Sequence, residues 1–401
     1  MYSIDTIQKL QQIKTPFWLY DISLLEKTLQ KVKSLSEKHN ISVHYAIKAN
    51  AEERILRLIS SYGLGADCVS GNEVIKSAEC GFSPDKIVYA GVGKTDKEIY
   101  DSMKLGIFAF NCESIPEIKV INELAGRMGI NASILARINP NIDAHTHKYV
   151  TTGLHENKFG ISEHEFERLI EISKECKNVT INGLHFHIGS QITDVANVFK
   201  TECERVNEIV AWFESRGLKV DHIDLGGGLG IDYETPDDNP IADFDTWIQI
   251  IADNIVRRPD QKVHIEPGRS IVAQCGSLIS RVLFVKSGET KTFLILDAGM
   301  NDLIRPALYG AFHKIDNISA MGREDQTEQL YDVVGPVCES SDVWGAGRFL
   351  PRSQRGDVLA LRSTGAYGQV MSSRYNLRDL AQAVYLDELD KAETEVDWFA
   401  L

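Results

Sequence analysis

Six short β-prone runs in this chain end on, or are followed by, a residue that a buried strand does not ordinarily carry. Lys48 follows HYAI, Asp67 sits in ADCV, and Arg137 lies near the end of SILARI. His187 stands near the end of INGLHFHI, Gly226, Gly227 and Gly228 follow HIDL, and Glu266 ends KVHIE. A desolvated lysine has a lowered pKa and can condense with a carbonyl, although Lys48 taken alone is better read as a snorkelling surface residue. Three successive glycines let backbone N–H groups approach a phosphate, and that reading is favoured over mere turn-making. The run breaks G-x-G-x-x-G at Ile231, and GVGKT at 91–95 is no Walker loop because Val88 holds its first glycine position. In EPGR (266–269) a surface ion pair is the bland reading, and a cofactor-facing carboxylate is the favoured one. Cys338 reads by default as a buried core cysteine. The histidine pairs His185/His187 and His145/His147 have no carboxylate at usual ligand spacing, so no metal is expected.

These side chains need a scaffold that puts strand ends on one rim. From about residue 25 to 275, eight runs alternate with helix-like stretches: 42–47, 66–69, 87–90, 107–110, 133–138, 181–188, 222–225 and 262–266. The intervening stretches, such as EERILRLISSYG, repeat apolar residues at three- and four-residue spacing and often close on glycine. Eight alternations over that span favour a closed (β/α)8 barrel over a doubly wound sheet, with chemistry at the C-terminal ends of the strands. After residue 275 strands follow one another without long helices, as in RVLFVKS, KTFLILDAG and DVLALRS. The expected division is therefore a barrel over 25–275 and a β domain from 1–24 and 276–401. By composition, the KFGI to HFHIGSQ region and the stretch YETPDDNPIADF (233–244) are candidates for mobile elements.

Composition narrows the partners. Forty-three Lys and Arg against 57 Asp and Glu give a net charge of −14, which disfavours nucleic acid and anionic membranes. Seven scattered cysteines with no C-x-x-C suggest neither a disulfide framework nor a thiolate zinc site. No apolar leader and no apolar run long enough for a membrane helix is visible, and a cytoplasmic protein is expected.

An ordered set of motifs then carries a family resemblance: YAIKAN, GADCVSGNE, RINPNIDAHTHKYVTTG, KFGI, GLHFHIGSQ, DLGGGLGI, IEPGRSIVA, DAGMNDLIRPALYGA, VVGPVCESSD and GAYG. Together they resemble the fold-type III pyridoxal-phosphate decarboxylases, in which an N-terminal (β/α)8 barrel precedes a β-rich domain. The likeness is nearest to the branch acting on meso-diaminopimelate. It implies that Lys48 holds pyridoxal 5'-phosphate in a Schiff base, that Glu266 pairs with the pyridine nitrogen, that His187 stacks on the ring and that Asp67 walls it. Ser190, the backbone of Gly226 to Gly228 and the turn at Gly268 would hold the phosphate, and Tyr367 would contact the cofactor. Arg269, Arg305 and Tyr309 resemble the set that binds the distal carboxylate, Glu339 the partner of the distal ammonium, and Cys338 the acid that protonates the carbanion. The reaction implied is loss of carbon dioxide from the D-centre with inversion, giving L-lysine, in a homodimer with shared sites. A carboxynorspermidine decarboxylase is the nearest alternative; a racemase would need a tyrosine in place of Cys338. Two departures stand out: CESGD reads CESSD with Ser341, and YNxRP reads Tyr375-Asn376-Leu377-Arg378-Asp379.

Overall fold

The computed structural model describes residues 3–142 and 158–394, so His145, His147 and the KYVTTG motif lie outside the described residues. A first strand, β1 (Phe17–Tyr20), precedes eight parallel strands: β2 (Ile41–Ala46), β3 (Gly65–Cys68), β4 (Ile87–Tyr89), β5 (Ala109–Cys112), β6 (Ala132–Arg137), β7 (Val179–His185), β8 (His222–Asp224) and β9 (Lys262–Ile265). They close into a barrel, sealed where β9 pairs with β2 in the register Val263 with Ile41 and Ile265 with Val43. The expected (β/α)8 barrel is thus the fold of this region.

Local chemistry explains the helices between the strands. Helix Glu53–Ser61 buries Ile55, Leu56 and Ile59, and the Glu52 carboxylate caps it by accepting from the N–H groups of Arg54 and Ile55. Thr95 and Glu98 form a capping box that starts helix Asp96–Leu105, and Gly106 ends it in the left-handed region at φ 75°. The GKT triplet therefore serves as a helix start. Its Lys94 is buried against Glu117 at 2.5 Å.

The barrel interior is polar in two layers. Residues two apart on a strand share a face, so His264 and Glu266 both point inward from β9. In one layer His44 Nε2 lies 2.9 Å from His264 Nδ1, and His264 Nε2 lies 2.9 Å from His222 Nδ1, with Phe108 against all three rings. Gly65 makes room there, since a Cβ would fall 2.4 Å from the His44 ring. The other layer holds Glu266, His185, Asn111 and Asp224.

The β-rich unit is built from β1 with β10 (Gly276–Ser287), β11 (Thr292–Leu296), β12 (Ile315–Asn317), β13 (Glu328–Val334), β14 (Val343–Pro351), β15 (Val358–Leu361) and β16 (Gln382–Tyr385). Their order is β12-β15-β10-β11-β13-β14, with β1 joined to β10 and β16. Leu10, Ile13, Phe17, Leu19, Ile279 and Val358 are among its core residues. By compactness this unit takes the described residues up to Glu26, those of Ile231–Ile241 and those from Val272 on, while Lys27–Gly230 and Ala242–Ile271 form the barrel unit.

Two strand assignments shift. The run 107–110 becomes β5 at Ala109–Cys112, so Asn111 belongs to a strand, and β7 ends at His185, which leaves His187 in the following loop.

Candidate active site

The barrel unit gathers its chemistry where the strands end. Lys48 stands on the turn Ile47–Ala49 that follows β2, a turn locked by a bond of 2.9 Å from the Tyr45 hydroxyl to the Asn50 carbonyl. The Lys48 Nζ donates to Asp67 Oδ2 at 2.9 Å. Asp67 is wholly buried in β3, and among the described residues its Oδ1 has no hydrogen-bond partner. Burial pushes the Asp67 carboxyl up, nearby Glu266 adds to this, and Lys48 opposes it.

Glu266, at the end of β9, accepts from Asn111 Nδ2 at 3.1 Å and lies 3.1 Å from His185 Nε2. Burial alone would raise its carboxyl, but His185, then Lys48 and His187, outweigh it and hold Glu266 ionised, well below the usual carboxylate range. Asp224 is pushed the other way: burial and the Glu266 charge raise its carboxyl well above the usual range, against the N–H of Gly226 at 2.9 Å. His185, Asp224 and Glu266 bring ligating atoms within 4.8 Å of one another. Carboxylates thus do collect around one histidine, contrary to the spacing argument, because β7, β8 and β9 are neighbours in the barrel. His185 Nε2 is nevertheless engaged with Glu266.

The three glycines occupy a crossing of backbones. A Cβ on Gly226 would fall 2.4 Å from the Phe186 carbonyl oxygen, one on Gly227 2.3 Å from that of Glu266, and one on Gly228 2.9 Å from that of Gly189. Gly226 and Gly228 also adopt φ values of 65° and 117°, which favour glycine. The Gly227 N–H donates to His187 Nδ1 at 3.2 Å. Burial, then Arg137 and Lys48, depress the His187 pKa, so the ring is neutral. Arg269 is buried and reaches Ser190 Oγ at 2.9 Å, which replaces the surface ion-pair reading of EPGR. Gly268 packs against Ala46 and Ala49, whose methyls would lie 3.0 and 3.2 Å from a Cβ there.

Other predicted residues belong to the β unit. Arg305 and Tyr309 bracket the short helix Arg305–Tyr309, four apart and so on one face. Cys338 is exposed, whereas the other six cysteines are buried, which overturns its default reading as core. The Cys338 N–H donates to Asn376 Oδ1 at 3.4 Å, and the Tyr375 hydroxyl donates to Glu339 Oε1 at 2.6 Å. Ser341 avoids the left-handed region, so the missing glycine costs no backbone strain. Tyr367 sits at φ 56°, a conformation that costs about 1 kcal/mol or more and that clusters at functional sites.

Sequence reasoning missed Asn111, His185 and Asp224 as members of the site. Asn111 would have emerged from the rule of polar residues at strand ends had β5 been placed two residues later. The Glu113–Arg137 pair at 2.6 Å was also missed; Glu113 further accepts from the N–H of Gly160, in the KFGI motif, at 2.9 Å.

A closed parallel barrel with a lysine, an ionised carboxylate and a side-chain-free cradle at its strand ends defines a class, that of the pyridoxal-binding barrels. A family model described as "Pyridoxal-dependent decarboxylase, pyridoxal binding domain" matches residues 23–273. A diaminopimelate decarboxylase of Bacteroides thetaiotaomicron is 50% identical over 97% of this chain and 100% of its own length. One from Aquifex aeolicus is 38% identical over 94% of this chain and 88% of its own. The crystal structure of diaminopimelate decarboxylase from Helicobacter pylori, complexed with L-lysine, superposes with a TM-score of 0.87 at 38% identity, covering 97% of this chain and 96% of that one. The chain belongs to the diaminopimelate decarboxylase family of pyridoxal-dependent decarboxylases.

Proposed function

We propose that this protein removes the carboxylate at the D-centre of meso-2,6-diaminopimelate, releasing carbon dioxide and L-lysine with pyridoxal 5'-phosphate as cofactor. The observation that carries the reading is the convergence on one rim of the Lys48–Asp67 pair, ionised Glu266 and the Gly226–Gly228 cradle.

The residues fit the cofactor. Lys48 would hold its aldehyde carbon covalently, and Glu266 would keep a hydrogen on the pyridine nitrogen. The buried Oδ1 of Asp67 has no partner among the described residues, as suits a group that faces a ligand. Neutral His187 would lie against the ring, with Tyr367 as a further contact. Ser190, the cradle backbone and the turn at Gly268 would hold the phosphate. When bound, the cofactor supplies the electron sink that lets a carboxylate depart as carbon dioxide.

Arg269, Arg305 and Tyr309 bind the carboxylate at the non-reacting end, where a planar guanidinium matches a carboxylate bidentately. Glu339 binds the ammonium there. A substrate with only an amine at that end, as polyamine-type decarboxylases take, would meet like charge at Arg305. Exposed Cys338 delivers a proton to the reacting carbon on the face opposite the departing carboxylate, which inverts the centre. Two copies pair as a homodimer, with Cys338 serving the partner's barrel. The expected location is the cytoplasm; among the described residues no helix is long and apolar enough to cross a membrane.

The test is to incubate the purified protein with meso-diaminopimelate and pyridoxal phosphate and to measure carbon dioxide and lysine. Equal amounts of both are expected. Bound cofactor with neither product would transfer the assignment to the carboxynorspermidine type. Lys48→Ala should abolish the absorbance of the lysine-bound cofactor, and an unchanged band would remove Lys48 from that role.

A further inference from the structure

The stretch Ile231–Ile241 belongs to the β unit, although in sequence it lies between β8 and helix Phe244–Asn254 of the barrel unit. Ion pairs of Asp237 fasten it there, with Arg362 at 2.8 Å and Lys314 at 3.2 Å, while Asp316 holds Arg362 at 2.9 Å from within the β unit. Near the start of the stretch, the Tyr233 hydroxyl accepts from Arg305 Nη1 at 3.1 Å, and the guanidinium carbon lies 5.2 Å from the Tyr233 ring centre.

His313 takes a second contact, with its Nε2 2.9 Å from the same Nη1. Its Nδ1 lies 2.9 Å from the Arg362 carbonyl oxygen, which can only accept. Nδ1 therefore carries the ring hydrogen, and Nε2 of the neutral ring is the acceptor that an arginine requires. The Tyr233 and His313 rings brace each other edge to face, with centres 5.2 Å apart. Both hydrogens of Nη1 are thereby directed, which fixes the guanidinium plane. Arg305 is buried, and neither of these two partners carries a negative charge. Tyr233 and His313 thus orient the guanidinium through Nη1.

We propose that Tyr233 and His313 are positioning residues for substrate recognition, holding the plane of Arg305 for the carboxylate at the non-reacting end of the substrate. The inference rests on the role given to Arg305 above. A bidentate pair demands a fixed plane, so a guanidinium free to rotate would lose affinity for that carboxylate while the reacting end stays as it was.

The experiment is a set of double-mutant cycles read by kcat and kcat/KM on meso-diaminopimelate, using the full-length holoenzyme. Tyr233→Phe, which keeps the ring and removes the hydroxyl, and His313→Ala are each made alone and together with Arg305→Ala. Each single change should raise KM about tenfold with kcat within about twofold, the loss expected for one hydrogen bond to a charged group. In the Arg305→Ala background neither should lower kcat/KM further. Losses that multiply with that of Arg305→Ala, or a fall in kcat at constant KM, would overturn the proposal. An unchanged KM in Arg305→Ala itself would instead remove the substrate role of Arg305. Should His313→Ala fail to fold, Tyr233→Phe carries the same test.

Discussion

Gly227 has no room for a side chain, because the atom that a Cβ would meet at 2.3 Å is the Glu266 carbonyl oxygen, and backbone cannot step aside. Gly227→Ala should therefore destabilise the cofactor-free protein by about 1–3 kcal/mol, the range for forced overpacking, and weaken cofactor binding with it. A urea midpoint unchanged from wild type would show that the β8 and β9 loops relax freely. Ser341 is the opposite case. It replaces a glycine of the family pattern, yet its backbone does not need one, and its hydroxyl lies 3.7 Å from the Met300 sulfur. Ser341→Gly is expected to leave kcat/KM within about twofold, as for surface changes away from strained positions. A larger change would give Ser341 a part in the turn that presents Cys338 and Glu339.

The element with the clearest physical consequence is the barrel's histidine layer. Burial lowers the pKa of His44, His222 and His264 from the ordinary 6.5, so these rings stay neutral in the fold while the unfolded chain takes up protons below that value. Stability contributed by the layer is thus complete above pH 6.5 and is lost as pH falls below it. Each ring that refuses its proton contributes a slope of about 1.4 kcal/mol per pH unit. Urea midpoints measured from pH 8 to pH 5 should fall, and the fall should be shallower in His264→Asn, which breaks the row at its centre. Equal slopes in the two proteins would mean that the rings titrate freely.

At the scale of the whole molecule the expectation is a homodimer whose sites draw on both copies. Lys48→Ala and Cys338→Ala proteins, each nearly inactive, should regain about a quarter of wild-type activity after dissociation and mixing, because half the dimers then carry one intact site. No recovery, with exchange verified by native mass spectrometry, would place Lys48 and Cys338 of one chain in the same site.

The amino-acid sequence by itself determined the alternation of strand and helix, hence the barrel, because hydrophobic period and glycine closure are local properties. It also determined the residue types on the rim: Lys48, Asp67, Glu266 and the glycines stand where apolar residues would otherwise be. Only the tertiary structure decided the pairings. That Asn111 and His185 steady Glu266, that the Glu266 charge pushes the Asp224 carboxyl up, and that Tyr233 reaches Arg305 are contacts between residues 42 to 155 positions apart. Such contacts follow from barrel closure and from the return of Ile231–Ile241 to the β unit. Even the two-residue shift of β5 was a tertiary matter, since an apolar run such as IFAF satisfies a strand in either frame until its neighbours fix the register.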